Sequence, residues 1–394
     1  MNPWVAQRNG NSVIRCISKS ERGVMDGRVT LSTIDRDGFI NALEKSGIDS
    51  DRARRLAVDI SLDINFLWRN LKIETENPVW ADEQHIRILI PAMLVGEWDE
   101  RIKNDRDLIG ILSGTSYEDY LEKLQFIIKA EESPLLKIGS VWQIKAPYTL
   151  YNIFYKDITE DDLTHLLECL EWLLEDDDPD ALAKMDEGTL HFWKDKHAYS
   201  GYIKKGVFRS LTLLSIVFEK YHRDCKAINQ LIQAQLEGFT TERYLSNMHN
   251  MKWIAEANPV VFLDFIQKDI ANGAQLMGKI FEIKQTPYGL TNTNIFYSDL
   301  LFCLENIAWS RELLPRTTEI LLYLCKYPNN SNWTNRPINT LYNIYQFLLP
   351  QTFADFDNRF VILKSLSTNS VINCLQYPQG KHLSAFCPFL RRSH

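Results

Sequence analysis

The hexapeptide "ELLPRT" at 312–317 returns as "FLLPQT" at 347–352, so that Leu313, Leu314, Pro315 and Thr317 map onto Leu348, Leu349, Pro350 and Thr352 at an offset of 35 residues. Upstream, "ENIAW" at 305–309 pairs loosely with "YNIYQ" at 342–346. Downstream, "EILLYLCKY" pairs loosely with "RFVILKSLS". A proline deep inside a helix costs about 3 kcal/mol or more, but at a turn that penalty vanishes and the ring sets the corner. Each copy therefore reads as a helix, a proline corner and a second helix. A period of this length belongs to helical-hairpin arrays, in which one pair cannot bury its apolar stripe without a stacked neighbour. The run "NRPINTLYNIYQFLLPQT" (335–352) thus reads as a joint in a larger structure. Neither copy carries the tetratricopeptide or ankyrin signature.

The rest of the chain agrees with a helical architecture. "YEDYLEKLQFIIKA" puts Tyr117, Tyr120, Leu121, Leu124, Ile127 and Ile128 on one stripe at helical spacing. Thr159 followed by Asp162 reads as a capping box. Trp80–Gly96 and Glu97–Gly114 read as a helical pair, with Pro91 a kink in the first. Only two places look like strand: "SVIRCIS" with "GRVTLSTI" near the start, and "LLKIGSVWQIKA", where Gly139-Ser140 suggests a hairpin. The expected fold is all-α, a helical hairpin repeat array of the HEAT/TPR-like α-solenoid kind, with a small N-terminal β element and a three-helix, helix-turn-helix-like module. The expected segments are 1–36 (the β-containing tail of an upstream type of module), 37–80 (the three-helix module), 81–222 (helical, with the hairpin near 135–146) and 223–394 (helical repeats).

A net charge of −7 over 394 residues argues against a general nucleic-acid coat, though a local basic face could still bind DNA. Seven cysteines (Cys16, Cys169, Cys225, Cys303, Cys325, Cys374 and Cys387) are scattered without a CxxC, which fits reduced thiols in the cytoplasm. The longest apolar runs fall far short of the roughly 20 residues that span a bilayer, and the start lacks a secretory core.

Several stretches imitate chemistry. "TIDRDGFINALE" sets Asp35, Asp37, Gly38, Ile40 and Glu44 on a calcium-loop pattern, but Thr33 stands where a strong ligand needs Asp. The competing reading is a strand end, an Asp37 cap and a short helix. "DRARRLAVDISLDINFLWRNLK" resembles a helix-turn-helix with Arg52, Arg54 and Arg55 adding charge, although Asp63, Ile64 and Asn65 occupy the base-reading positions. Asp162, His165 and Cys169 fall at i, i+3 and i+7 on one helix face, and His191, Asp195 and His197 gather along "HFWKDKH", but neither completes a tetrahedral metal site. "GYIKKG" at 201–206 begins like a phosphate loop, yet Val207-Phe208 stand where Lys and Ser/Thr are needed. The acidic string Glu175–Asp178 reads as a solvated helix end. No catalytic residue, cofactor site or metal site is expected.

Three stretches together carry a resemblance: "RILIPAMLVGEWDERIKNDRDLIGILSG" (87–114), "HAYSGYIKKGVFRSLTLLSIV" (197–217) and "NWTNRPINTLYNIYQFLLPQT" (332–352). They resemble the C-terminal helical portion of large bacterial STAND-like multidomain ATPases of antiviral conflict systems, in order across residues 35–365. In that family an effector and a P-loop ATPase precede a helical array that senses a trigger or mediates assembly. The resemblance implies a sensor or scaffold role for the matching positions Trp98, Asp99, Asp105, Arg106, His197, Ser200, Gly206, Asn335, Arg336, Pro337, Gln351 and Thr352. This chain carries neither the ATPase nor the effector, so those activities are not transferred. Its last stretch, "NCLQYPQGKHLSAFCPFLRRSH", departs from the pattern, for which a fragment, a split gene or a truncated frame would each account. The expected function is a non-enzymatic protein-interaction or sensor module of a bacterial antiphage system, partnered by an ATPase or effector subunit or a phage-derived trigger. The alternative is a DNA-binding regulator using residues 38–72.

Overall fold

The computed structural model describes residues 35–60, 67, 71, 78, 80–130, 132–183, 196–281, 296–327, 335–347 and 349–366. The chain divides into two compact units, 1–57 and 58–394. The expected N-terminal strands and nearly all of the segment read as the second helix of the helix-turn-helix lie outside the described residues.

Helix α1 (Arg36–Lys45) starts at Asp35, whose carboxylate accepts from Gly38 N at 2.7 Å. The cap is therefore Asp35 rather than Asp37. Asp37, Gly38 and Ile40 lie inside the helix, so the calcium-loop geometry is replaced by helical backbone from residue 36 onward. Helix α2 (Ser50–Asp59) is opened by Asp49, which accepts from Arg52 N at 2.9 Å. It buries Ala53, Leu56 and Ala57 and leaves Arg52, Arg54 and Arg55 exposed.

The larger unit is mostly helical with one three-stranded sheet. Its first half contains α3 (Glu83–Val95), β1 (Glu97–Asp99), α4 (Lys103–Ser113), α5 (Tyr117–Lys129), β2 (Leu135–Ile138), β3 (Val141–Ile144), α6 (Pro147–Phe154) and α7 (Glu160–Glu175). The expected hairpin is present as β2–β3. The expected helix over 97–114 forms only from Lys103 onward, as α4: its first three residues form β1, which pairs antiparallel with the other edge of β3 in the order β1-β3-β2. Trp98 sits opposite Trp142, their rings stacked 5.9 Å apart, and the buried Trp98 indole donates to the Tyr117 hydroxyl. That aromatic contact explains why a strand wins over the local helical pattern. The Thr159–Asp162 capping box at the start of α7 forms as expected.

The central element is α8 (Gly201–Lys220), which packs on α3, β1, α6, α7 and, further along, α11. Ile203, Val207, Phe208, Leu211, Leu214, Val217 and Phe218 are all buried, so this helix is apolar on most of its circumference, as a core helix must be. Beyond it come α9 (Lys226–Glu237), α10 (Thr241–Asn247), α11 (Met251–Ala257), α12 (Pro259–Ala271) and α13 (Gln275–Phe281).

Two helix pairs close the described chain: α14 (Ser298–Ile307) with α15 (Leu314–Leu324), and α16 (Pro337–Tyr345) with α17 (Phe356–Ser365). The 35-residue repeat thus marks two helix–corner–helix units, but its residues are not equivalent. Pro315 lies in the first turn of α15, whereas Pro350 lies in the loop before α17. Leu314 is fully buried, while its counterpart Leu349 is 86% exposed. Thr340 Oγ1 donates to Glu305 at 2.8 Å, and Thr318 and Tyr345 share a 2.7 Å hydroxyl contact, so α16 is fastened to both helices of the preceding pair.

Candidate functional site

Seven of the residues singled out by sequence meet along the N-terminal half of α8. Ser200 caps that helix by accepting from Ile203 N. Its own hydroxyl donates to Asp105 at 2.6 Å, its N–H donates to the other Asp105 oxygen at 3.0 Å, and Asp99 N donates to Asp105 at 2.9 Å. Asp105 therefore locks α4, β1 and α8 together. Burial pushes its carboxyl above the usual range, while the Arg101 guanidinium holds that of Asp99 down at about 2. Arg106 donates to the Glu100 carbonyl oxygen at 2.9 Å.

A second polar cluster adjoins the same helix. Lys204 is 3% exposed; its ammonium donates to the Asp176 carbonyl oxygen at 2.7 Å and lies 3.0 Å from the Asp176 carboxylate. His197 Nδ1 is 2.9 Å from the same carbonyl oxygen, and Ala198 N donates to the carboxylate at 2.8 Å. Burial alone would raise the Asp176 carboxyl, but His197, Ala198 N and Lys204 bring it down to about 2. The next residue, Lys205, donates to the buried Glu97 at 2.9 Å, with Arg209 at 3.5 Å. The acidic string is therefore not a solvated end: Asp176 is taken inward to anchor α8, and Asp178 is buried with its N–H donating to Ser246 on α10. Of the "KK" in the imitation phosphate loop, Lys204 supplies the counter-charge of Asp176 and Lys205 that of Glu97. Gly206 completes the junction by letting the backbone of α8 approach residues 95–97.

Asn335, Arg336, Pro337, Gln351 and Thr352 form a separate cluster around α16. Arg336 and Pro337 open the helix, with Pro337 buried at its first position. Gln351 N donates to Asn343 O at 2.9 Å, and the buried Thr352 hydroxyl accepts from Ala354 N. These residues fold the corner back onto the helix. Of the imitation metal sets, Asp162 is taken by Arg87 and Thr159, His165 is exposed, and Cys169 is buried with its thiol pushed up to about 12; His191 and Asp195 lie outside the described residues.

Sequence reasoning missed an open cleft of about 380 Å³ between α9, α10, α12 and α13. Its floor is Leu236, Phe239, Phe265 and Leu276, with the two phenylalanine rings edge-on at 5.8 Å. Glu237, Glu242, Lys268 and Lys279 line its mouth. Asp269 accepts from Leu276 N at 3.0 Å and Met277 N at 2.9 Å, fixing the turn that forms one wall. A lobe of about 70 Å³ continues the cleft along α12 past Val261 and Asp264. Nothing local in the sequence announces it, because its two aromatic residues come from segments 26 positions apart that look like ordinary core.

No family model, curated protein or solved structure matches this chain. No helix among the described residues is long and apolar enough to cross a membrane.

Proposed function

We propose that this chain is a non-enzymatic helical interaction module of a bacterial antiphage conflict system, with the cleft between α9 and α13 as its binding face. The cleft carries this reading. An aromatic and leucine floor inside a mouth of mixed charge is the anatomy of a surface that takes an apolar side chain of a protein partner and orients it by polar contacts at the rim. The polar clusters around α8 support it from the other side, since their carboxylates and ammonium groups are spent on the chain's own donors and acceptors, which makes them a scaffold for helix placement. The helix–corner–helix order of α14–α15 and α16–α17, with α16 fastened to both helices of the preceding pair, supports an array reading. The partner class is an ATPase or effector subunit, or a phage-derived protein, following the resemblance.

The test is phage challenge of bacteria carrying this gene with its flanking genes. Phe265→Asp puts a charge into the floor and should abolish protection while leaving the fold, followed by circular dichroism, intact. Full protection by a folded Phe265→Asp chain would remove the cleft from the mechanism.

The DNA-binding reading retains one favourable observation: Arg52, Arg54 and Arg55 all face outward on α2, opposite its buried Ala53–Leu56–Ala57 stripe. Salt-dependent duplex binding that is lost in Arg54→Glu/Arg55→Glu would favour it.

A further inference from the structure

The loop between α16 and α17 holds large apolar side chains away from the core. Phe347 is 59% exposed, Leu349 86% and Phe353 79%, with Trp309 beside them at 39%. The Phe353 ring packs edge-on against Trp309 at 5.0 Å, and Phe347 against Phe356 at 5.9 Å; these two pairs, with Leu349 between them along the chain, make up the loop's apolar ridge. The loop is tied down from several directions: Gln346 Nε2 donates to Leu349 O at 2.7 Å, Phe353 N to Trp309 O at 3.3 Å, and Arg359 to Gln346 O at 2.8 Å. Leu349 is held at φ +55, a left-handed backbone unusual for leucine. A fixed loop that pays strain to point a leucine into water is a feature of contact sites.

We propose that this ridge is a two-fold interface between copies of this chain. The area argues for a second copy. An aromatic side chain offers roughly 150–250 Å², so at these exposures the three aromatic side chains, with a leucine of comparable size, present at most about 500 Å² per chain. Two-fold pairing that covers all four side chains completely removes about 1,000 Å², the threshold for a specific interface. The flanks also fit. Arg311 faces both Glu312 and Asp355 of its own chain, so charges of both signs border the ridge within each copy. Three acids against one arginine disfavour the alternative of insertion into an anionic lipid surface. The interface does not use the cleft, so the two readings fail separately.

Sedimentation equilibrium of the full chain tests it. The wild type should dimerise at concentrations on the order of tens of micromolar. Leu349→Asn, which keeps a residue tolerant of the left-handed backbone, combined with Phe353→Ser should raise the dissociation constant at least about 30-fold, as loss of a central hot spot does. At dilutions where both chains are monomeric its melting curve should match that of the wild type, because both side chains lie outside the core. Phe265→Asp should dimerise normally. Leu349→Cys chains, but not wild type, should be joined by mild oxidation, the signature of the same patch meeting itself. A wild-type chain that stays monomeric, an undiminished dimer in the double variant, or sedimentation of a monomer with phosphatidylglycerol vesicles would each overturn the proposal.

Discussion

Gly206 lies against the chain end of α3 so closely that a β-carbon on it would stand 2.5 Å from Glu97 N and closer still to the Val95 carbonyl oxygen. Across the contact, Gly96 has φ +76 and passes the chain from α3 into β1. Glycine in a helix interior normally costs about 1 kcal/mol relative to alanine. Here the near absence of space reverses that sign. Gly206→Ala must push apart two backbones that carry the sheet and the central helix, and it should destabilise the fold by about 3 kcal/mol. Gly201→Ala, at a position with nothing within 4 Å, should be neutral or slightly stabilising. Urea unfolding of the two variants separates close approach from helix propensity.

The polar clusters along α8 predict opposite pH limbs. Asp176 has a depressed carboxyl, so its contribution is fully present above its unfolded value, near 3.9, and is lost as pH falls through about 2. Asp105 is raised by burial, so its contribution is present at low pH and is lost as pH rises past its unfolded value toward the raised one. Asp176→Asn should flatten the acid limb of a stability–pH curve, whereas Asp105→Asn should flatten the descending limb at higher pH. Asp105→Asn should also cost about 1–3 kcal/mol at neutral pH, because an amide nitrogen would face the N–H of Asp99 or the donors of Ser200.

Removing either partner of the Asp176–Lys204 pair should not cost the same. Asp176→Ala removes the carboxylate paired with an ammonium group that is 3% exposed and leaves it the residue-176 carbonyl oxygen, for which about 3 kcal/mol is expected. Lys204→Met keeps the volume, and the carboxylate retains the N–H groups of Ala198 and Tyr199, so the loss should be visibly smaller. Equal losses would mean that the lysine, not the loop 197–199, holds Asp176 in place.

What could be read from sequence was what is local. The capping box at Thr159–Asp162, the β2–β3 hairpin about Gly139-Ser140 and the helix–corner–helix order after residue 298 each depend on neighbours within a few positions. What could not be read was set by partners far along the chain. Glu97–Asp99 is a strand because Trp98 finds Trp142, and the acidic string turns inward because Lys204 waits 28 residues on. The cleft floor joins Phe239 to Phe265 in the same way. The equivalence of Leu314 and Leu349 failed for the converse reason: identical letters at matching corners meet different neighbours, and burial follows the neighbours.

Asp162 does two jobs, and their weights can be measured. It accepts from Thr159 N at 2.7 Å as half of the capping box, and it receives Arg87 through two bonds at 2.8 and 3.1 Å. Arg87 is 44% exposed, so the ion pair is worth less than about 1 kcal/mol, while the cap contributes about 1 kcal/mol. Arg87→Met should therefore cost less than Asp162→Ala, for which about 2 kcal/mol is expected from both losses together. Thermal melts of the two variants give the order directly.

Pro91 sits inside α3, where it has no N–H to donate, yet the helix continues to Val95. The reason lies on α5. The Tyr120 hydroxyl accepts from Ala92 N at 2.9 Å and donates to Ile88 O at 2.8 Å, so it stands in the gap where the N–H of residue 92 would have met the carbonyl of residue 88. A side chain inserted into the helical ladder is one of the recognised causes of a bend, and here it also satisfies two backbone groups inside the core. Tyr120→Phe removes the bridge and leaves both groups buried, at about 1–3 kcal/mol. Pro91→Ala restores the missing N–H and allows α3 to straighten, so the Ala92–Ile88 bond can close without the hydroxyl. The two changes should then couple: Tyr120→Phe should cost markedly less in the Pro91→Ala background than in the wild type, with an interaction of about 1 kcal/mol in a double-mutant cycle. Additive losses would show that the hydroxyl stabilises α3 independently of the proline.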